Sequence, residues 1–217
     1  MEKFSFKLPK PNKKQIVIIL CSLLSILLIG VLVYYGYTVS YNKNAKIISI
    51  MVVNQTESSA TVIWQTDRKV KGSLEVGGYR YYDSRDIEEI ALGEYKINKL
   101  QKRYTHYVTV PKLESEKEYV FNIKHDFVKI DSDVNSFKTA IVAEEIKDPD
   151  PVYGYIFDNE GMEINDALVI LYVEDGCEFS QPLAIYASDN GSFTLDVGMV
   201  RNKELTAQLT LPENYWE

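Results

Sequence analysis

The sequence predicts an all-β ectodomain of two β-sandwich domains behind one N-terminal transmembrane α-helix. Three observations predict it. An uncharged apolar run lies near the start, two-residue alternation begins after residue 46, and a proline-and-aspartate break at 148–151 precedes a second alternating region.

From residue 16 to 33 there is no charge, and only Cys21, Ser22, Ser25 and Gly30 interrupt fourteen Ile, Leu and Val residues. The uncharged stretch continues to Asn42. A bilayer core about 30 Å thick needs roughly 20 helical residues. Residues 15–37 are therefore read as a membrane-spanning helix whose partner is the lipid bilayer. A helix packed on a soluble core alternates polar and apolar faces, and this run does not. A cleavable signal peptide is the competing reading, but its apolar part usually spans about 7–15 residues and ends in small residues. Here Tyr34, Tyr35 and Tyr37 follow, which favours a permanent signal anchor.

Residues 1–14 form a basic tail, with Lys3, Lys7, Lys10, Lys13 and Lys14 against Glu2. The positive-inside rule holds such a tail in the cytoplasm. A tether at 38–45 then leads to domains outside it, giving a single-pass cell-membrane protein. The tyrosines meet the outer interface, where amphipathic rings are stable. The net charge is −7, and removing the tail's +4 leaves −11 on the remainder. Phosphate backbones are bound through clustered Lys and Arg, so nucleic acid is not an expected partner. Cys21 lies in the apolar run and Cys177 far downstream. A membrane between them forbids an internal disulfide, so no disulfide framework is expected.

Beyond the tether, Ile48, Ile50 and Val52 alternate, as do Ala60, Val62 and Trp64. Leu74 with Val76, residues 107–110, and Tyr119, Phe121 and Ile123 continue the pattern, and residues 137–139 close it. Short strands at this spacing read as a sandwich over residues 46–140. Within it, Ser59-Ala60-Thr61-Val62-Ile63-Trp64-Gln65-Thr66-Asp67 resembles the second strand of a fibronectin type III domain. The stretch from Thr105 through Leu113, with Tyr119 six residues on and then Ser136-Phe137-Lys138-Thr139, resembles later parts of the same family. The resemblance implies a tyrosine corner at Tyr119, its ring packed and its hydroxyl bonded to upstream backbone. It also puts His106 at a surface strand position. Residues 79–100 depart from the family by their length and charge, and Ile87, Ile90 and Ala91 have the spacing of one helical turn.

Residues 141–150 read as a linker stiffened by Pro149 and the following Pro151. The second domain, 151–217, shows strands at 152–156, 167–173, 184–187 and 193–197, with a last one at 205–211. Asp189-Asn190-Gly191 supplies left-handed residues for a tight hairpin. Gly154-Tyr155-Ile156-Phe157-Asp158, with Gly161, Ile164, Ala167-Leu168-Val169 and Asp189-Asn190-Gly191-Ser192-Phe193, resembles the carboxypeptidase regulatory-like family, a transthyretin-like β-sandwich. Five strands are visible where that family has about seven, which leaves two readings: a trimmed fold, or an open edge completed by another chain. A sandwich this small also gains by packing on the first domain.

No catalytic, metal or cofactor residues are expected. His106 and His125 lack neighbours at metal-ligand spacing, and no nucleophile-elbow or zinc-protease motif occurs. Asp131, Asp133 and Asn135 alternate like a calcium loop, but Ser136 and Val142 stand where an EF-hand needs glycine and an acid. A polar hairpin turn is the better reading. Asn54-Gln55-Thr56 and Asn190-Gly191-Ser192 are sequons. Tyr79, Arg80, Tyr81 and Tyr82 form the candidate ligand-binding segment, since Tyr and Arg suit binding surfaces; cross-strand aromatic pairing on a sheet edge is the alternative. The expected role is non-catalytic binding or scaffolding at the cell surface, adhesion included, with a protein or glycan partner. An accessory or truncated non-catalytic part of a surface hydrolase system is the second reading.

Overall fold

The apolar run folds as α1, Lys13–Lys43, beginning two residues before the predicted span and continuing through most of the predicted tether. Asn12 caps it: its side chain accepts the Gln15 N–H at 2.9 Å, and Gln15 returns the bond to the Asn12 N–H at 2.9 Å. This capping box satisfies two of the free donors at the helix start. Inside the apolar run, the Ser22 hydroxyl donates to the Ile19 carbonyl and the Ser25 hydroxyl to the Ser22 carbonyl. Polar atoms bonded to their own helix remain compatible with lipid. The helix is long and apolar enough to cross a membrane, and its most apolar window is wholly exposed. The eighteen residues from 16 to 33 span about 27 Å at 1.5 Å per residue, close to a hydrocarbon core.

The computed structural model describes residues 12–91, 94–143, 148–164, 166–175 and 178–209. The chain divides into two units, Met1–Asn44 and Ala45–Glu217. Most of the basic tail, residues 1–11, lies outside the described residues, as do Cys177 and the end of the expected last strand.

The second unit is built of antiparallel strands. β1 (Ile47–Val53), β2 (Ala60–Val70) and β7 (Arg103–Val110) form one sheet in the order β1-β2-β7. β3 (Gly72–Val76), β4 (Tyr79–Tyr82), β8 (Glu118–His125), β9 (Val128–Ile130) and β10 (Ser136–Lys138) form another, in the order β10-β8-β3-β4 with β9 on β8. Ala60, Val62, Trp64, Val108 and Val110 of the first sheet share a core with Leu74, Val76, Phe121, Ile123 and Phe137 of the second. The Tyr119 ring stacks on Phe137, and its hydroxyl accepts the Glu114 N–H at 2.8 Å.

The charged insertion is not a helical turn at 87–91. A 3-10 turn at Ser84–Asp86 comes first, and β5 (Ile87–Ala91) then pairs with β6 (Glu94–Ile97) as a hairpin. Asp83 caps the 3-10 turn by accepting the Arg85 N–H, so the turn forms where the cap is, upstream of the apolar triplet.

The rest of the unit holds three two-stranded ribbons. β11 (Pro151–Tyr155) pairs with β16 (Ser192–Asp196), β12 (Leu168–Leu171) with β15 (Leu183–Tyr186), and β13 (Glu174–Asp175) with β14 (Glu178–Phe179). The Asn190-Gly191 turn therefore does not close a hairpin: it carries the chain from the β12–β15 ribbon to the β11–β16 ribbon. Of its residues, Gly191 alone takes a left-handed conformation, φ +70. No strand forms at 205–209, where Leu205 sits in a turn at φ +63 and Gln208 makes a single bridge to Arg201.

Candidate functional site

β4 carries the four predicted binding residues as the edge strand of its sheet, paired with β3 from Ser73↔Tyr82 to Val76↔Tyr79. Alternation splits them between two faces. Tyr81 packs against the core, and burial raises its hydroxyl pKa. Arg80 and Tyr82 lie on the opposite, outer face. Arg80 stands across from Glu75, which is also salt-bridged to Lys124. Tyr79, at the strand start beside the Gly77-Gly78 turn, is 73% exposed. Strand geometry thus keeps the four side chains from forming one continuous patch. Among them, Tyr79, Arg80 and Tyr82 have atoms open to a partner.

A second constellation, not singled out by any motif, begins at Asp83. Its buried carboxylate accepts Arg85 Nε at 2.8 Å and Nη2 at 2.9 Å, a bidentate pair. It also accepts the Tyr107 N–H at 3.1 Å. Burial would raise the Asp83 pKa, but the Arg85 hydrogen bonds and charge outweigh it and hold the carboxyl below its ordinary value. Arg85 also donates Nη2 to the Thr105 carbonyl at 2.7 Å and Nη1 to Asp166 at 2.8 Å. Its guanidinium lies 3.8 Å from the Tyr186 ring centroid. One arginine therefore ties β4 and β7 to the loop before β12 and to β15. Asp86 repeats the device locally, taking both terminal nitrogens of Arg103 at 2.8 Å.

Asn54 is the second tie. It sits in a left-handed conformation, φ +50, after β1. Its side-chain oxygen accepts the Ala184 N–H at 2.8 Å, and its amide nitrogen donates to the Ala184 carbonyl at 2.8 Å and to the Tyr107 hydroxyl at 2.7 Å. The amide imitates a strand edge for β15. Read in the sequence as a sequon residue, Asn54 spends its amide inside the seam. Val53, Ile63 and Ala184, flanked by Met51, Tyr107 and Leu168, bury an apolar layer beside it. A third tie runs from Arg201 Nη2 to Glu57 at 2.9 Å.

His106 is not a surface residue: it is 1% exposed. Register places it opposite Trp64, and the rings stack with centroids 4.7 Å apart. His125 follows at 6.4 Å, and Asp83 approaches His106 Nδ1 at 4.0 Å. Burial, opposed by Asp83, pushes the His106 pKa down to about 3. Its Nε2 is enclosed in the core.

This burial sets a pH dependence. In the unfolded chain the histidine takes up a proton near pH 6.5, whereas the folded one stays neutral to about 3. The unfolded state binds more protons in that window, so stability rises with pH across it. The depressed Asp83 acts in the same direction, its contribution lost as pH falls through its folded value. Denaturant titrations from pH 7 to pH 4 are expected to show a loss approaching 1.4 kcal/mol per pH unit from His106 below its unfolded value. The slope should be shallower in His106→Gln.

Along Arg85 and Arg103 the seam opens into a cleft of about 430 Å³, also lined by Lys69, Lys102, Tyr104 and Asp166. Its arginines are already committed to Asp83, Asp86 and Asp166. Among the described residues no group of three or more His, Cys, Asp and Glu has the arrangement of a metal site. Asp131 and Asp133 lie between β9 and β10, which both pair with β8, so this segment is not the expected hairpin turn; within it the Ser132 hydroxyl donates to the Val134 carbonyl at 2.7 Å. Comparisons with protein-family models, curated proteins and solved structures return no match. The class defined by the fold is a chain with one apolar N-terminal helix followed by a body of antiparallel sheets.

Proposed function

We propose that this chain is a membrane-anchored, extracytoplasmic, non-catalytic binding or scaffolding protein. In this reading α1 holds two β-sandwich modules on the outer face. The first is fibronectin type III-like and the second carboxypeptidase regulatory-like. The observation that carries the proposal is the exposed apolar surface of α1, followed along the chain by a body of antiparallel sheets. Support for the first module comes from the shared two-sheet core and from Tyr119, whose hydroxyl takes an upstream backbone N–H. Support for a rigid spacer comes from the ties at Arg85, Asn54 and Arg201, which fasten the C-terminal ribbons to the first sheets. A partner, protein or glycan, would meet Tyr79, Arg80 and Tyr82 on β4.

Topology is tested by labelling single cysteines in a Cys21→Ser, Cys177→Ser background. Lys129→Cys is expected to react with a membrane-impermeant maleimide on intact cells, and Ser5→Cys only after lysis; the reverse pattern would overturn the orientation. Leu24→Arg places a charge mid-span, costing about 3 kcal/mol of insertion free energy. It is expected to shift the chain into the alkaline-extractable fraction. The binding face is tested with Tyr79→Ala and Arg80→Glu in the full chain. Tyr81→Ala is unsuitable because that ring packs on the core. Unchanged capture of surface proteins and glycans by both variants would remove β4 from the proposal.

A further inference from the structure

We propose that the open edge of β11 is a self-association surface, through which a second copy of this chain adds its own β11 antiparallel. The bonds flanking the β11–β16 ladder show which way the edge points. The Ile156 N–H donates to the Gly191 carbonyl at 2.9 Å, and the Val197 N–H to the Asp150 carbonyl at 2.9 Å. With the register Tyr155↔Ser192 to Pro151↔Asp196 between them, residues 150, 152, 154 and 156 face β16. The N–H and C=O groups of Tyr153 and Tyr155 point the other way. No strand pairs with that edge among the described residues.

The edge also lacks the usual guards. Natural sheets blunt free edges with charges, bulges or proline. Residues 151–157, Pro-Val-Tyr-Gly-Tyr-Ile-Phe, carry no charge. Six lysines and one glutamate up to Asn44 leave −12 on the rest of the chain, so this stretch is an uncharged strip on an acidic body. The register with β16 shows no bulge. Pro151 stands at the first position only, where its missing donor blocks nothing further along.

The occupant follows from the donors. Two N–H and two C=O groups, on residues two apart, complement themselves in an antiparallel pair. Setting Gly154 on the two-fold axis places Tyr153 opposite the partner's Tyr155 and uses every outward donor. A register centred on Tyr153 would set Tyr155 against a proline and lose one. Two-fold pairing of this kind is closed and stops at a dimer. Between Asp150 and Asp158 the strip offers no charge for an acidic or basic partner to read, whereas an identical uncharged strip fits it; the same register sets Asp158 across from the partner's Asp150 at each end, a like-charge pair that weakens the dimer. Tyr153 is 78% exposed, Tyr155 58% and Phe157 53%, and the last two rings stack at 6.2 Å. Aromatic side chains of about 150–250 Å² each offer roughly half of the 800 Å² per partner that a stable interface buries. The dimer is therefore weak when dilute and forms where copies are concentrated, as on a shared membrane.

The inference rests on the strand edge and not on the binding role, so its test is separate. Full chains with Cys21→Ser and Cys177→Ser are co-expressed, one copy bearing Tyr153→Cys and the other Tyr155→Cys, and oxidised in the cell fraction they occupy. Directly bonded antiparallel pairs lie about 5.5 Å apart at Cα, within disulfide reach. The mixed cross-link is expected at least tenfold above that of either variant alone and of a Ser58→Cys control. Resonance energy transfer between labelled copies should fall to background with Tyr153→Pro, which removes an outward donor but leaves the β16 ladder whole. Tyr153→Lys should do the same by charging the edge. No excess of the mixed cross-link, or energy transfer indifferent to both substitutions in chains with unchanged near-UV circular dichroism, would overturn the proposal.

Discussion

Asn54→Ala is expected to destabilise the β-body by about 2–4 kcal/mol and to loosen the β12–β15 ribbon from the first sheets. The side chain makes three hydrogen bonds, two of them across the seam to Ala184 and one to Tyr107 on β7. Removing it strands the Ala184 N–H, and an unsatisfied buried donor costs about 1–3 kcal/mol. The Ala184 carbonyl keeps the Tyr107 hydroxyl at 2.9 Å, which limits the loss. Backbone strain adds to it: Asn54 holds φ +50, a conformation that Asn tolerates and that costs alanine about 1–2 kcal/mol. Asn54→Gly removes the same hydrogen bonds without the strain and is expected to be the milder change despite the larger deletion. Denaturant titration of both variants checks the order. Equal or greater loss in the glycine variant would sink the backbone argument, and wild-type stability in both would sink the seam.

The second large effect is Gly72→Ala, at the start of β3. A Cβ there would lie 2.5 Å from His106 Nδ1 and 2.6 Å from Trp64 Cζ2. Both rings are fully buried and stacked on each other, so neither has space to withdraw. Overpacking of this kind costs about 1–3 kcal/mol and sometimes more. Because Gly72 is not in the left-handed region, the cost is steric, and shrinking a neighbour should recover part of it. Trp64→Phe deletes Cζ2, one of the ring atoms that meet the new methyl, and leaves the His106 contact in place. In a double-mutant cycle Gly72→Ala is expected to be less costly in the Trp64→Phe background than in the wild type. Additive losses would show that the clash relaxes by another route.

The apolar helix was legible because the capacity to cross a bilayer depends on local properties, length and the absence of charge. Residues 16–33 carry both in their composition, and α1 forms over them. Alternation likewise marked most strands, since period two is written residue by residue; the fibronectin-like resemblance implied a Tyr119 hydroxyl bonded to upstream backbone, and it takes the Glu114 N–H. The seam was not legible. Arg85 meets Asp166 and Asn54 meets Ala184 across intervals of 81 and 130 residues, and no local pattern encodes a partner that distant. The Asp83-Ser84-Arg85-Asp86 run was a faint signal, acids flanking an arginine directly after β4.

Sequence by itself determined the kind of most segments, an apolar helix and then alternating strands, though not at 87–91 or 205–209. Tertiary structure decided which faces meet. It buried His106 because β2–β7 register set it against Trp64, divided Tyr79, Arg80, Tyr81 and Tyr82 between two sides of β4, and left the outward bonds of β11 without a strand among the described residues. The reason is physical. Side-chain periodicity is a property of neighbours along the chain, whereas register and packing are settled by contacts between segments that the chain must first bring together.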